Sequence, residues 1–266
     1  MTAFNNDAPI GVFDSGVGGL SVLRAIHSKL PEENLIYVAD SGNAPYGDRD
    51  GDFIATRATK ITEFLLASGA KAIVVACNTV SVVAIERLRS WCPVPVVAME
   101  PAIKPASQNT KTGVIGVLAT RRTIASPSVA RLCEAHGKNV EILLQPCPGL
   151  VEQVEKAELL SDASRALLLG YISPLLAAGA DTLVLGCTHY PFLSQLIRDI
   201  VGPNIAIVDP AVAVALQVER RLGDHRVSAP RTQPAEARFF SSADPNDARA
   251  IISALWGREV AVQGMD

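Results

Sequence analysis

The stretch AIVVACNT at Ala72–Thr79 decides the fold, because a variant of it, TLVLGCTH, returns at Thr182–His189. Each copy is an unbroken apolar run that ends near a cysteine and then turns polar. Unbroken runs of this kind are typical of parallel strands that are covered by helices on both faces. The repeat aligns Cys77 with Cys187 and predicts two copies of one strand-and-helix unit.

Three neighbouring segments repeat in the same order and at nearly the same spacing. A spacing shared by four successive segments predicts an internal duplication of a four-stranded α/β unit. We therefore predict an α/β fold with two similar open parallel-sheet domains and an active site in the cleft between them. The three further pairs are GVFDSG (Gly11–Gly16) with GVIGVLAT (Gly113–Thr120), IYVADSGNAP (Ile36–Pro45) with ILLQPCPGL (Ile142–Leu150), and VVAMEPA (Val96–Ala102) with AIVDPA (Ala206–Ala211).

Helical patterns alternate with the apolar runs, as in the stripe Leu20, Leu23, Ile26 and Leu30. This alternation predicts parallel sheets with helices on both faces. The predicted first domain comprises residues 1–98 and 210–266, since the tail is expected to cross back, and the second comprises residues 99–209. The predicted strands are Ile10–Phe13, Leu35–Ala39, Ala72–Ala76, Val94–Ala98, Gly113–Leu118, Val140–Leu144, Thr182–Leu185, Ile205–Val208 and Arg238–Phe240.

Composition narrows the class of protein. The 266 residues are 48% hydrophobic and 19% charged, which excludes intrinsic disorder, and the net charge of −3 argues against nucleic acid as a partner. Five cysteines without a C-x-x-C pair argue against a disulfide framework and a four-cysteine zinc site, so no metal is predicted. Met1–Pro9 lacks the basic start and apolar run of a signal peptide, and no apolar run is long enough to span a membrane, so we expect a cytoplasmic protein.

Polar residues follow the predicted strands, where ligands of open parallel sheets bind. Cys77 and Cys187 each stand where a strand gives way to a helix, a position that favours the thiolate. Asp14 ends a strand of the first copy, and His189 lies two residues beyond Cys187. Two thiols, each with its own proton-handling partner, suggest a base that removes a proton from a carbon and another that returns one to the opposite face. That reaction is racemisation or epimerisation.

Structural alternatives exist for each of these residues. A single cysteine after a buried strand is usually a small core residue, and only the repeat favours function for Cys77 and Cys187. The glycine cluster DSGVGG at Asp14–Gly19 fails the dinucleotide pattern, because Ser21 stands where the third glycine belongs. The glycines instead predict backbone N–H groups that approach a carboxylate. Since no lysine follows a strand as a Schiff-base candidate, pyridoxal phosphate is disfavoured as a cofactor.

The motifs together resemble the glutamate racemases, within the cofactor-independent aspartate/glutamate racemase superfamily. The resemblance spans residues 10 to 210 in order. It rests on FDSGVGGL (Phe13–Leu20), DSGNAPYG (Asp40–Gly47), VACNT (Val75–Thr79), LVE (Leu150–Glu152) and GCTHYP (Gly186–Pro191).

The resemblance implies a two-base interconversion of L- and D-glutamate, whose D-isomer enters peptidoglycan synthesis. It implies that Cys77, assisted by Asp14, acts on the D-isomer. It also implies that Cys187, assisted by His189, acts on the L-isomer, with Glu152 oriented toward that histidine. The implied substrate contacts are Asp14, Ser15, Pro45, Tyr46, Gly47, Asn78, Thr79, Thr120, Thr188 and His189.

Partners and rival functions also follow from the resemblance. It implies glutamate as the small-molecule ligand, a homodimer, and a contact with DNA gyrase of the kind that some members make. A racemase of the same superfamily acting on aspartate or another amino acid remains an alternative. A two-lobed ligand-binding protein is a further alternative, but such a protein would not need two cysteines facing one pocket.

Overall fold

Two parallel sheets with helices on their faces form the computed structural model, which describes residues 7–223 and 235–265. The strands are β1 Ile10–Asp14, β2 Leu35–Ala39, β3 Ala72–Val75, β4 Val96–Ala98, β5 Val114–Ala119, β6 Glu141–Pro146, β7 Thr182–Gly186, β8 Ala206–Val208, β9 Ala237–Ser241 and β10 Val262–Gly264. The helices are α1 Leu20–Lys29, α2 Gly51–Ala67, α3 Asn78–Trp91, α4 Ile103–Asn109, α5 Arg121–Ile124, α6 Pro127–His136, α7 Leu150–Glu155, α8 Asp162–Ala177, α9 Ser194–Val201, α10 Ala211–Gly223 and α11 Pro245–Trp256, with 3₁₀ turns at Ser41–Asn43 and Tyr190–Leu193.

The first sheet has six strands in the order β10-β9-β2-β1-β3-β4, all paired in parallel. The second has four strands in the order β6-β5-β7-β8, also parallel. We call the six-stranded sheet with its helices the first lobe, and the four-stranded sheet with its helices the second lobe. The predicted α/β class with two open parallel sheets is confirmed.

The central strands follow the burial pattern that their sequences predict. All residues of β1, β3 and β7 are buried, as unbroken apolar runs require when helices cover both faces. The predicted stripe of α1 is also buried, from Leu20 to Leu30. One apolar cluster continues from Val17 in the first lobe to Val151 and Tyr190 in the second, so the lobes share a core beneath the cleft.

Strand register brings the functional loops to one edge of each sheet. Asp14 pairs with Ala39 at the ends of β1 and β2, and Ala119 pairs with Gly186 at the ends of β5 and β7. The polar residues that follow these strands therefore lie side by side, at the carboxyl edge where α/β proteins bind ligands.

The C-terminal segment adds two strands to the first sheet. β9 pairs with β2, and β10, which the sequence did not predict, pairs with β9. The domain boundaries proposed from sequence stay a prediction, and the predicted loop Val227–Glu236 lies mostly outside the described residues. None of the helices in the described part of the chain is long and apolar enough to cross a membrane.

Packing of β9 makes a testable prediction about stability. Phe239 is buried between Tyr37 and Trp256, with ring centroids 6.5 and 5.4 Å away. Phe239→Ala should reduce the free energy of unfolding by about 3–5 kcal/mol, because it leaves a cavity under the sheet. Urea denaturation measures this loss. Leu169→Ala, at a largely exposed position of α8, is the control and should change stability by no more than about 0.5 kcal/mol. Equal effects of the two substitutions would contradict this account.

Candidate active site

A cleft opens between the carboxyl edges of the two sheets, and both lobes contribute its walls. It encloses about 540 Å³ of empty space, including its open mouth. Every residue that the sequence singled out lines this cleft except Asp14, which is buried behind it. The lining residues among them are Ser15, Pro45, Tyr46, Gly47, Cys77, Asn78, Thr79, Thr120, Glu152, Cys187, Thr188 and His189.

On the first lobe, Cys77 stands at the N-cap of α3. Its thiol donates to the hydroxyl of Ser15 (Sγ–Oγ 3.6 Å), which in turn donates to Asp14 Oδ1 at 3.1 Å. Burial, followed by the negative charge of Asp14, raises the pKa of the Cys77 thiol well above its usual value. The thiol therefore rests in its protonated form, with a hydroxyl and a carboxylate arranged to take up its proton.

Asp14 acts from beneath the cleft floor. Its carboxylate accepts the backbone N–H of Ser15 at 2.6 Å and the hydroxyl of Thr188, from the second lobe, at 2.8 Å. Burial raises the pKa of Asp14, although the positive charge of His189 and these hydrogen bonds oppose the rise. A raised pKa brings a carboxyl group closer to exchanging protons near neutral pH.

On the second lobe, Cys187 follows β7 and contacts His189 (Sγ–Nδ1 3.7 Å). The other ring nitrogen of His189, Nε2, lies 2.7 Å from Glu155 Oε1. Burial alone would lower the pKa of His189, but hydrogen bonds and charge interactions with Cys187 and Glu155 exceed that effect and raise it well above its usual value. The imidazole is thereby held ready to take a proton from the thiol.

The carboxylate that contacts His189 is that of Glu155, whereas the family resemblance implied Glu152 at this place. Both residues lie on α7, three positions apart and so on the same side of the helix. Glu152 lines the cleft but makes none of the hydrogen bonds observed to His189. Sequence reasoning missed Glu155. The signal that could have found it is its position three residues after Glu152, which places both side chains on the same side of a helix.

The glycine cluster allows the second lobe to approach the first. A Cβ on Gly16 would overlap the carboxylate of Glu155, and a Cβ on Gly18 would overlap the ring of His189. The amide of Val17 donates to Glu155 Oε1 at 2.7 Å. The carboxylate that this backbone N–H binds is thus the side chain of Glu155.

Hydroxyl and amide groups occupy another part of the cleft. Thr79 of the first lobe lies 3.0 Å from Thr120 of the second (Oγ1–Oγ1), and Thr123 contacts both. The side-chain amide of Asn78 is buried in the cleft wall, and neither its oxygen nor its nitrogen has a partner among the described residues. Because an unpaired buried amide is costly, Asn78 is suited to hydrogen-bond a ligand.

An ion pair between a buried carboxylate and a partly exposed arginine supports the cleft wall from behind. Arg57 binds Asp40 through two nitrogens, with Nε–Oδ2 at 2.9 Å and NH2–Oδ1 at 2.6 Å. The hydroxyl of Tyr46 donates to the same carboxylate, and burial and the charge of Asp40 raise the pKa of Tyr46. Asp40 and Arg57 were not singled out from sequence. They fix Tyr46 and hence the loop that carries Pro45 and Gly47.

Among the described residues, the remaining three cysteines lack the proton acceptors that Cys77 and Cys187 have beside them in the cleft. Cys147 borders the cleft, where burial raises its pKa, and its thiol donates to the backbone carbonyl of Gln145 at 3.3 Å. Cys92 and Cys133 lie outside the cleft lining.

Across residues 7–223 and 235–265, no three His, Cys, Asp or Glu side chains cluster as metal ligands would.

Comparison with known proteins identifies the family. The family model described as Asp/Glu/hydantoin racemase matches residues 10–218. The chain belongs to this racemase family. Glutamate racemase from Ectopseudomonas mendocina (strain ymp) is 51% identical to it over 97% of this chain and 98% of that protein.

Two solved structures resemble the whole racemase chain. Escherichia coli glutamate racemase, in complex with L-glutamate and the activator UDP-MurNAc-Ala, is 30% identical with a TM-score of 0.85, covering 97% of each chain. Francisella tularensis glutamate racemase in complex with D-glutamate is 27% identical with a TM-score of 0.85, covering 98% of each chain. The two-lobed architecture is therefore that of racemases.

The two candidate glutamates of this racemase can be separated experimentally. Glu155→Gln should lower the pKa of His189, because removal of a negative charge 2.7 Å from Nε2 destabilises the imidazolium. The measurement is NMR titration of the His189 ring, assigned by comparison with His189→Asn. Glu152→Gln is the matched control and should leave the titration unchanged. A lower pKa of His189 in Glu152→Gln, with an unchanged one in Glu155→Gln, would show that Glu152 is the carboxylate that interacts with His189.

Proposed function

We propose that this protein is a glutamate racemase that interconverts L- and D-glutamate with two cysteine bases and no cofactor. One observation carries the proposal: two thiols line one cleft, and each has its own proton acceptor. Cys77 is connected through Ser15 to Asp14, and Cys187 contacts His189. Glutamate as substrate is supported by the glutamate racemase relative that is half identical over almost the full chain.

The proposed reaction uses the thiols in alternation. With the L-isomer bound, Cys187 as thiolate takes the α-proton, and Cys77 as thiol gives its proton to the opposite face of the carbanion. With the D-isomer the roles reverse. The C–H bond broken on one face is replaced by a C–H bond on the other. One turnover of the L-isomer leaves Cys187 as the thiol and Cys77 as the thiolate, which is the state that reacts with the D-isomer. Loss of a proton from Cys187 to water and gain of one from water by Cys77 restore the starting state. This arrangement requires one thiol to be protonated while the other is ionised.

Stabilisation of the carbanion is the difficult part of this reaction, since the substrate already carries a negative carboxylate. Fixed hydrogen-bond donors in a site from which water is excluded supply such stabilisation. The unpartnered amide of Asn78 and the hydroxyl of Thr79 are proposed for this role, whereas Thr188 lines the cleft and donates its hydroxyl to Asp14. Asn78 and Thr79 also open α3, whose N-terminus favours negative charge.

Substrate contacts follow from the same cleft. We propose that Ser15, Pro45, Tyr46, Gly47 and Thr120 complete the binding surface for the two carboxylates of glutamate, with His189 beside them. Asp14 is proposed to act through Ser15 and Thr188, because it lies behind the lining rather than on it. Glu155 replaces Glu152 as the proposed partner of His189.

Location and assembly extend the proposal. A glutamate racemase supplies D-glutamate for peptidoglycan, a cytoplasmic step, and the family resemblance implies a homodimer. Sedimentation of the purified protein checks the dimer. The contact with DNA gyrase rests on family resemblance alone and is checked by pull-down with purified gyrase.

Circular dichroism tests the proposed function directly. Purified protein incubated with L-glutamate and no added cofactor should drive the optical signal to zero as the racemate forms. In D₂O, the newly formed enantiomer should carry deuterium at Cα while the unreacted substrate keeps its proton, as two separate bases require. Turnover of aspartate but not glutamate would favour the sister-enzyme alternative. Binding without turnover would favour the two-lobed binding protein.

Cysteine substitutions test the two-base assignment. Cys77→Ser and Cys187→Ser should each lower the rate of racemisation at least 100-fold, on the order of the contribution of a general base. Each substitution replaces a thiol by a much weaker acid. Cys133→Ser, outside the cleft lining, is the control and should keep the parental rate. Near-parental rates in both cleft variants would rule out the assignment.

A further inference from the structure

Glu155 joins the two lobes and the proposed proton acceptor of Cys187 in one hydrogen-bonded group. Its Oε1 accepts the backbone N–H of Val17 at 2.7 Å and lies 2.7 Å from His189 Nε2. Its Oε2 accepts the hydroxyl of Ser41 at 3.2 Å. Val17 and Ser41 belong to the first lobe, whereas Glu155 and His189 belong to the second.

Ser41 is the member of this group whose side chain takes part in the hydrogen bonds and which the proposed reaction does not use. It does not line the cleft, and it begins the 3₁₀ turn Ser41–Asn43 that leads into the cleft-wall residues Pro45, Tyr46 and Gly47. The same turn is held on another side by Ser242, whose hydroxyl accepts the N–H of Gly42 at 3.1 Å. Besides these anchors at Ser41 and Ser242, the side-chain amide of Asn43 donates to Asp40 Oδ1 at 3.0 Å. Of these contacts, only the Ser41 anchor reaches His189.

We propose that Ser41 is a positioning residue for proton transfer at Cys187, acting through Glu155 on His189. The inference rests on the proposed glutamate racemase function and deepens it. It couples the loop that carries the cleft-wall residues Pro45, Tyr46 and Gly47 to the imidazole that takes the proton of the thiol. Ser41 itself contacts neither the thiol nor the imidazole in the hydrogen bonds observed.

The orientation of the Glu155 carboxylate gives the physical reason. Val17 and His189 share one oxygen, so the Ser41 hydroxyl alone fixes the other among the donors observed on the described residues. Without it, the carboxylate can rotate about its last bond and the ring of His189 loses a fixed direction. Misplacement of a proton acceptor by a fraction of an ångström slows transfer, because the transfer depends on the approach geometry.

The proton transfer that Ser41 supports is balanced within the chain. The Cys187 S–H bond breaks and a His189 Nδ1–H bond forms, which leaves a thiolate beside an imidazolium. Nε2–H of the ring donates to Glu155 throughout, and Glu155 remains a carboxylate. A hydroxyl donor on the second oxygen of Glu155 keeps that negative charge beside the imidazolium.

A racemase allows an unusually sharp test, because its two substrates have equal free energies. The equilibrium constant of one forces kcat/KM to be equal in the two directions for every variant, so rates alone cannot show which base is affected. Primary isotope effects can show which of the two bases a variant affects. A higher barrier at one base raises the isotope effect for the isomer that this base deprotonates and lowers it for the mirror isomer.

The experiment compares Ser41→Ala with the parental enzyme, using α-deuterated L- and D-glutamate. We expect kcat/KM to fall about 3- to 10-fold, because the variant loses one hydrogen bond, the one from the Ser41 hydroxyl to the Glu155 carboxylate. The isotope effects should diverge between the isomers in the same sense as in His189→Asn. The NMR signal of the His189 ring should also move in Ser41→Ala, a readout that does not depend on turnover.

Two matched variants separate positioning from general loosening of the turn. Ser41→Thr retains the hydroxyl and should restore the isotope effects, whereas Ser242→Ala removes the other anchor and should leave them and the His189 signal unchanged. Unchanged isotope effects in Ser41→Ala, or divergence in the opposite sense to His189→Asn, would overturn the role of Ser41. A parental protein that does not racemise glutamate would overturn the proposed function and this inference together.

Discussion

Two carboxylates, the fully buried Asp14 and the partly exposed Glu155, each bind a donor from the opposite lobe and so hold the cleft together. Asp14 of the first lobe accepts the hydroxyl of Thr188, and Glu155 of the second accepts the amide of Val17. A carboxylate that is withdrawn from water without partners is costly, fully so for Asp14 and in part for Glu155, so each group stabilises the arrangement while the lobes remain in contact. The groups proposed to handle protons are therefore also groups that fix the geometry of the cleft.

Burial gives these groups their chemical character. Cys77, Asp14 and His189 are almost fully shielded from solvent, and each has a raised pKa. For the thiol and the carboxyl, loss of hydration favours the neutral form, whereas His189 is kept basic by negative partners that outweigh the same effect. The close approach at Gly16 and Gly18 is what makes that shielding compatible with dense packing.

Much of this arrangement could be predicted from sequence, because the repeat aligned two strand ends and placed Cys77 opposite Cys187. What the sequence missed depends on side-chain direction in three dimensions. Glu152 and Glu155 are both acidic and lie on one side of α7, and only the packing against Val17 selects Glu155. Ser41 could not be predicted to matter, because its partner is more than a hundred residues away in the other lobe.

The duplication has a consequence for the symmetry of the cleft. The repeat that aligns the two thiols also aligns Asp14 with Thr120, and Thr79 with His189. Two ionisable side chains thus correspond to two neutral hydroxyls, which contact each other at 3.0 Å. A duplicated scaffold consequently encloses an electrically polar space, with ionisable side chains at one end and neutral hydroxyls at the other. Such a space gives a bound dicarboxylate a head and a tail, so mirror-image molecules can lie in the same direction while their α-hydrogens face different thiols.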